Sequence, residues 1–418
     1  MKARRPSLPT HLDRPLSRRL VLGGAGAAAL GFPWVARGQG REIKVGHIHP
    51  LSGPLAVDGV SMKNGIVLAF DEINASGGIK SLGGAKLRLI SADSQGRPQT
   101  AAAEAERLIR EGVVAILGAW LSGNTLVTTP IAERHQIPHI IELSIVDQIL
   151  ARGFKYSFRI TYGSGKAVQK NVEYIKEIAK AAGREVKSAV YIHEDSAYGT
   201  SLAEEWEKAG PKNGIQLLAR IAYSGKTADL TSEVSRAKAL NPDILLSSGY
   251  RPDSILLVRT LAELKADFLG VFGCQSAGFY HPTFHEAVGK PAEFLLDTDQ
   301  GVSKRSPHGQ KLQRDYKAKF NEEMALGAAY SYTAALVLRD ALERAGTTDG
   351  PKLRDAIAAT NLKDHPLPQA EVRFDETGQN VNAVPVGYQW QGKEIKIVWP
   401  PDQAEAKPIF PVPRWEQR

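Results

Sequence analysis

His47 and His49 stand one residue apart at the end of Glu42 to Ile48, a run that reads as a β-strand. Alternate side chains on a strand face the same side, so the pair could bind a metal. No H-E-x-x-H stretch and no cysteine pair supplies further ligands, and a strand-end hydrogen bond or an exposed imidazole is the competing reading. His193-Glu194-Asp195 could form an acid/base cluster, although solvated polar side chains also collect at strand ends. Cys274, the one cysteine, lies beside an apolar run and reads as a small core residue rather than a nucleophile. Gly165-Lys166 lacks the upstream Gly of a phosphate-binding loop and is followed by Ala167 instead of Ser or Thr. Gly163-Ser164-Gly165 and Ser276-Ala277-Gly278 fall short of the G-x-S-x-G nucleophile turn and read as plain turns. The expectation is a protein that is not an enzyme and carries no metal or cofactor.

The elements around these residues alternate. After the first strand, Ser61 to Asn74 places Met62, Ile66, Phe70 and Ile73 at spacings of four and three, which predicts a helix, and Gly77-Gly78 ends it. Strands over Lys86 to Ala92, Val113 to Leu117 and His139 to Ile141 then alternate with helices over Thr100 to Arg110 and Thr125 to Arg134. A second series follows Arg159, with strands over Ser188 to Ile192, Gln216 to Ile221, Ile244 to Ser247 and Phe268 to Phe272, separated by helices. Alternation of this kind implies parallel sheets covered by helices on both faces, and two series imply two lobes. After residue 282 come three helices, then an antiparallel piece ending near Val398, and a Pro-rich tail over residues 400–418. Two such lobes facing each other across a cleft can bind a small molecule at the carboxyl ends of their strands without chemistry.

The 53 basic and 45 acidic residues leave a formal charge of +8, which would fit a nucleic-acid partner. Residues 1–38 carry +6 of it, with seven basic side chains against Asp13 alone, and the remaining +2 is no footprint for a polyanion. Ser17-Arg18-Arg19-Leu20-Val21-Leu22 leads into the uncharged stretch Gly23 to Val35, with Ala36-Arg37-Gly38 after it. This order of basic, apolar and small residues predicts an export signal over 1–38, with adjacent arginines of the twin-arginine kind; a retained anchor is the alternative. The single cysteine lies far from the signal, so no acceptor thiol for a lipid stands at the cleavage site and no intrachain disulfide can form. The expected location is the periplasm.

Ile43-Lys44-Val45-Gly46, Pro50-Leu51-Ser52-Gly53-Pro54-Leu55-Ala56, Asn64-Gly65 and Asp71-Glu72-Ile73-Asn74-Ala75-Ser76-Gly77-Gly78-Ile79 together resemble one family. It is that of the periplasmic substrate-binding proteins of branched-chain amino acid type ABC importers, the leucine/isoleucine/valine-binding group. Asp195-Ser196-Ala197-Tyr198-Gly199 matches its D-x-x-Y-G after a strand, and Asn241-Pro242-Asp243 its lead into the next strand. The resemblance covers residues 42–399. It implies a type I periplasmic binding protein fold, α/β, with two doubly wound parallel-sheet lobes joined by a three-segment hinge around the ligand cleft. The lobes would comprise residues 42–160 with 283–365, and 161–282 with 366–399. The partners it implies are a small-molecule ligand and a membrane permease.

The same resemblance places the ligand's carboxylate at Gly118 to Thr125, on backbone N–H groups near Trp120 and Leu121 and on the Ser122 hydroxyl. A helix N-terminus favours an anion there on physical grounds alone, and Ser122 as the helix cap is the competing and compatible reading. Glu142-Leu143-Ser144-Ile145 replaces the family's T-P-S-A-T stretch, so Ile145 stands where a threonine often holds the carboxylate and Ser144 would compensate. Tyr198 matches the tyrosine that packs on the ligand from the second lobe, with a core ring as the alternative. The acids that commonly hold an ammonium are missing: Phe158-Arg159 leads to Ile160-Thr161-Tyr162-Gly163-Ser164, and Ser248-Gly249 leads to Tyr250. A buried ammonium without a counter-charge costs several kcal/mol, and Asp58 or Glu142 could supply the missing charge. Trp120, Tyr162, Tyr198, Tyr250 and Tyr280 could line a pocket for flat or apolar ligands, Gln275 could add a polar contact, and Trp120 in G-x-W-x-S resembles the amide and urea binding branch. A ligand-sensing regulator is a further alternative, opposed by the export signal and the lack of an N-terminal helix-turn-helix.

Overall fold

The computed structural model describes residues 42–303 and 306–418. The export signal expected over residues 1–38 lies outside them. Strands β1 (Glu42–His49), β2 (Lys86–Asp93), β3 (Ile116–Gly118), β4 (His139–Ile141) and β5 (Ser157–Arg159) form a parallel sheet in the order β2-β1-β3-β4-β5. A second sheet takes β6 (Ser188–Glu194), β7 (Gln216–Tyr223), β8 (Ile244–Ser248), β9 (Gly270–Cys274) and β10 (Leu296–Asp299) as parallel neighbours in the order β10-β9-β8-β6-β7. The short antiparallel pair β11 (Asn361–Leu362) and β12 (Val372–Arg373) stands apart, while β13 (Val386–Gln391) and β14 (Glu394–Trp399) extend the second sheet antiparallel beside β10.

Helices cover both faces of each sheet, so central strands such as β4 and β8 are buried throughout, while the edge strands β2 and β7 keep exposed or half-buried polar residues. In the first lobe, Ile66, Phe70 and Ile73 of the helix Ala56–Ala75 pack with Val45 and Leu117 of the sheet and with Val337 and Leu338 of the helix Leu326–Ala345. Those two helices touch backbone to backbone: a Cβ on Gly65 would stand 2.1 Å from the Ala328 carbonyl oxygen. In the second lobe, Val172, Trp206 and Phe272 share one core and Val190, Leu257 and Leu261 another.

The chain passes between the lobes three times, at residues 159–164, 299–303 and 374–386. Asn380 Nδ2 donates to the Ile160 carbonyl at 2.8 Å, Arg159 Nε to Gln379 Oε1 at 2.8 Å, and Gln300 Nε2 to Thr161 Oγ1 at 3.1 Å, so the three passages are tied side by side.

Two segments change lobe relative to the sequence expectation. Residues 283–299, expected with the first lobe, supply β10 to the second sheet. Val372 and Phe374, expected with the second, lie in the core of the first. The strand β10 reads Leu-Asp-Thr-Asp, and two buried acids in four residues give no apolar signal to recognise. The first turn of the helix Ser164–Ala181 is held from a distance: Asp147 Oδ2 accepts from Ser164 Oγ at 3.1 Å and from Gly165 N at 2.9 Å. The Pro-rich end packs along the second lobe, where Val412 N donates to the Leu269 carbonyl at 2.9 Å and Trp415 Nε1 to the Ala266 carbonyl at 2.8 Å.

Candidate ligand site between the lobes

A cavity with about 670 Å³ of empty space, its mouth included, lies between the lobes. Segments following the strands of both sheets converge on it. From the first lobe, β3 runs into Trp120 and the helix Ser122–Arg134, so the unpaired N–H groups of that helix's first turn stand beside the Ser122 side chain that lines the cavity. The cap position is Leu121; Ser122 is the first helical residue, and its hydroxyl does not take the capping role. From the second lobe come Tyr198, at the start of the helix Ala197–Lys212, Tyr250, which precedes the helix Arg251–Glu263, and Gln275 after β9.

The aromatic wall spans both lobes. Trp120 meets Tyr250 edge-on at 5.5 Å between ring centroids, and Tyr250 meets Tyr198 at 5.0 Å. The Tyr198 hydroxyl is spent on the Gln275 carbonyl, so Tyr198 offers the cavity its ring rather than a hydrogen bond. Tyr280 also lines the cavity, whereas Tyr162 lies behind it and accepts from Gln275 Nε2 at 2.8 Å. Gln275 Nε2 also donates to the Thr298 carbonyl, which leaves its buried Oε1 without a partner. Trp120 (φ 57°) and Gln275 (φ 61°), one from each lobe, are both held in the left-handed region, which costs of order 1–3 kcal/mol for a non-glycine residue and is typical of binding sites.

The stretch after β4 divides by alternation. Leu143 and Ile145 line the cavity, while Glu142 and Ser144 point away from it. Glu142 is fully buried against His49, 3.4 Å from its Nε2, and accepts from Ser331 Oγ at 3.3 Å. Ser144 Oγ donates to the Trp120 carbonyl at 2.7 Å and so holds the Trp120 turn from behind. Leu121 packs with Met62 and Trp120 and faces an outer groove between the lobes instead of the cavity. Of the ten residues expected to contact the ligand, Asp58, Trp120, Ser122, Ile145, Tyr198, Tyr250 and Gln275 are brought together, and Leu121, Glu142 and Ser144 are not.

Asp58 does reach the cavity, but Arg251 of the other lobe engages it at 3.4 Å. Burial raises its carboxyl and Arg251 opposes that shift. His281 Nε2 stands 3.7 Å from Asp58, and its imidazole is pushed down to about 4 by burial and then by Arg251, so it is neutral at pH 7. The acid left over is one that sequence reasoning missed: Asp299, at the end of β10, lines the cavity beside Gln300. Its carboxyl accepts from Gln300 N at 2.7 Å and is in ion pair with no cation among the described residues. Burial raises it above the usual carboxylate range, and Asp297, buried two residues earlier, is raised by the same cause and by the charge of Asp299. Met62, Leu326 and Gly327 of the first lobe also line the cavity, brought in by helices whose sequence carries no site signal.

The remaining chemical candidates are structural. His47 and His49 face the same side of β1, with 3.0 Å between their Nδ1 atoms, and His47 Nε2 bonds Ser91 Oγ. Among the described residues no set of three or more His, Cys, Asp or Glu side chains is arranged to hold a metal. His193 and Glu194 are buried rather than solvated: His193 Nε2 accepts from Arg220 Nε at 2.9 Å, and Glu194 accepts from Ser196 N. Cys274 is a core residue whose thiol burial pushes far up.

One site thus offers N–H donors at one wall, rings from both lobes and a buried acid at the hinge. Residues 42–394 match the family model described as periplasmic binding protein. A Leu/Ile/Val-binding protein homolog 7 of Brucella abortus is 30% identical over 370 residues, 86% of this chain and 92% of the relative. Two solved structures share the fold: a leucine-binding protein of Thermotoga maritima (TM-score 0.74, 24% identity, 85% of this chain and 97% of that one) and a solute-binding protein of an ABC transporter from R. palustris in complex with benzoate (TM-score 0.72, 19% identity, 85% and 95%). Among the described residues no helix is long and apolar enough to cross a membrane. With its type I fold and inter-lobe cavity, the chain belongs to the periplasmic binding protein family.

Proposed function

We propose that this chain is the extracytoplasmic receptor of an ABC importer, exported by its N-terminal segment to the periplasm. It captures an amino-acid-like carboxylate between its lobes and hands it to a membrane permease. The observation that carries this is the pairing, in one cavity, of a helix N-terminus at Ser122 with an acid at Asp299 that pairs with no cation among the described residues. The N–H groups take the carboxylate, the rings of Trp120, Tyr198 and Tyr250 take the apolar part, and Asp299 takes the amine. An arriving ammonium favours the ionised form of Asp299 and offsets the burial that raises it. Because the ligand touches both lobes, it binds the closed arrangement better than the open one and shifts the equilibrium toward the surface the permease reads. The cycle requires capture and release only, with no bond made or broken.

A second reading is favoured by the same wall of rings. A flat aromatic carboxylate or an amide would use Ser122 and the rings and leave Asp299 protonated, and the R. palustris neighbour's complex with benzoate is of that class. A thermal-shift screen against leucine, phenylalanine, benzoate, acetamide and urea tests both, since ligand at about a thousand times its Kd adds roughly 4 kcal/mol. A shift with an amino acid supports the first reading and a shift with benzoate or an amide alone supports the second. No shift with any of them contradicts both.

A further inference from the structure

A second cavity opens in the first lobe and shares no lining residue with the inter-lobe cleft. It holds about 1420 Å³ of empty space, mouth included, between the ends of the helices Ala56–Ala75, Pro307–Phe320 and Leu326–Ala345 and the turn at Lys80. Its three acids are all engaged. Glu72 accepts from Lys311 Nζ at 2.7 Å and from the Tyr332 hydroxyl, Asp364 pairs with His308 Nδ1 at 2.7 Å, and Glu343 accepts from the backbone N–H groups of Lys80 and Ser81 at 2.7 and 2.9 Å. Two of its cations form no salt bridge among the described residues, although the charge of Arg339 acts on Glu343 and on the Tyr332 hydroxyl. Arg339 makes no ion pair with any described residue, and its buried Nε has no hydrogen-bond partner. The Lys80 ammonium likewise pairs with no carboxylate among the described residues, although its backbone is fixed by Glu343.

We propose that this cavity is a binding site for a small organic oxyanion, with Arg339 as its anchor and Lys80 at its rim. A guanidinium held in a pocket whose carboxylates are already satisfied is complementary to a carboxylate or phosphate, which it can grip through two parallel N–H bonds. Ile73 and Leu336 give the same cavity an apolar side, which suits an anion carried on a short hydrocarbon. The site is independent of the ligand in the cleft, so occupancy of one leaves the other open.

Calorimetric titration of the full chain with succinate and, separately, with inorganic phosphate tests it, the two arms separating a carboxylate from a phosphate source. One of the two is expected to bind saturably, with Arg339→Gln weakening it tenfold or more, Lys80→Gln threefold or more, and the cleft variant Asp299→Asn leaving it unchanged. No saturable binding of either anion overturns the proposal, as does binding that Arg339→Gln and Lys80→Gln leave intact or that Asp299→Asn removes. If Arg339→Gln does not fold, Lys80→Gln at the exposed turn decides alone.

Discussion

Arg251 Nε of the second lobe stands 3.4 Å from Asp58 Oδ2 of the first, at the edge of the ligand cavity. Both side chains are mostly shielded from solvent, and their contact exists only while the lobes face each other closely. The pair therefore serves closure, and Asp58 is not available as the counter-charge of a ligand.

Asp58→Asn is expected to weaken ligand binding by about tenfold, or some 1.4 kcal/mol, because the closed state loses an attraction that the open state does not have. The wild-type affinity should fall with rising salt and that of the variant less so. Fluorescence or calorimetric titration at low and high ionic strength checks this, and an affinity equal to wild type under both conditions would contradict it.

Asp299→Asn separates the two ligand classes. Loss of about 100-fold is expected for an amino acid, since its ammonium would be left in a buried site without a counter-ion, while an aromatic carboxylate should keep its affinity. In the wild type, the raised carboxyl of Asp299 must lose its proton to hold an amine, so amino acid affinity should fall as pH drops from 8 to 5. An amino acid affinity flat across that range would place the amine elsewhere.

Acid should weaken the first lobe through His139. It is buried at the start of β4, its Nδ1 has no partner, and burial followed by the charge of His49 pushes it down to about 3. A depressed imidazole contributes stability that is fully present above the unfolded value near 6.5 and is lost progressively as pH falls toward 3. His139→Gln should reduce the stability difference between pH 7.5 and pH 5 by about 2 kcal/mol, measured by urea unfolding. An unchanged difference would show that His139 is not the group that titrates.

Gly65→Ala should destabilise the protein by about 1–3 kcal/mol, because the added methyl meets the Ala328 carbonyl, which is backbone and cannot turn aside. Thermal unfolding measures it, and a Tm equal to wild type would mean that the two helices separate freely.

Much of this fold is written in the alternation of apolar runs and helical periodicity, and most of the cleft wall follows strands that the pattern predicts. Trp120, Tyr198, Tyr250 and Gln275 each stand shortly after such a strand and were legible for that reason. Asp299 was not, because β10 is four residues long and half acidic, so neither its strand nor its return to the second sheet leaves an apolar trace. Leu143 lines the cavity while Glu142 and Ser144 do not, and sequence locates the stretch but not which of its alternating side chains turns inward. Arg251 as the partner of Asp58 lies 193 residues away and emerges only when the lobes are placed together.

If a small ligand is held by both lobes in this cleft, a crystal structure with the compound that gives the largest thermal shift will show it between them. A carboxylate on the N–H groups at Ser122, the ligand body against Tyr198 and Tyr250, and any amine at Asp299 are the expected contacts. A ligand bound outside the cleft, or one that touches a single lobe, would contradict this arrangement.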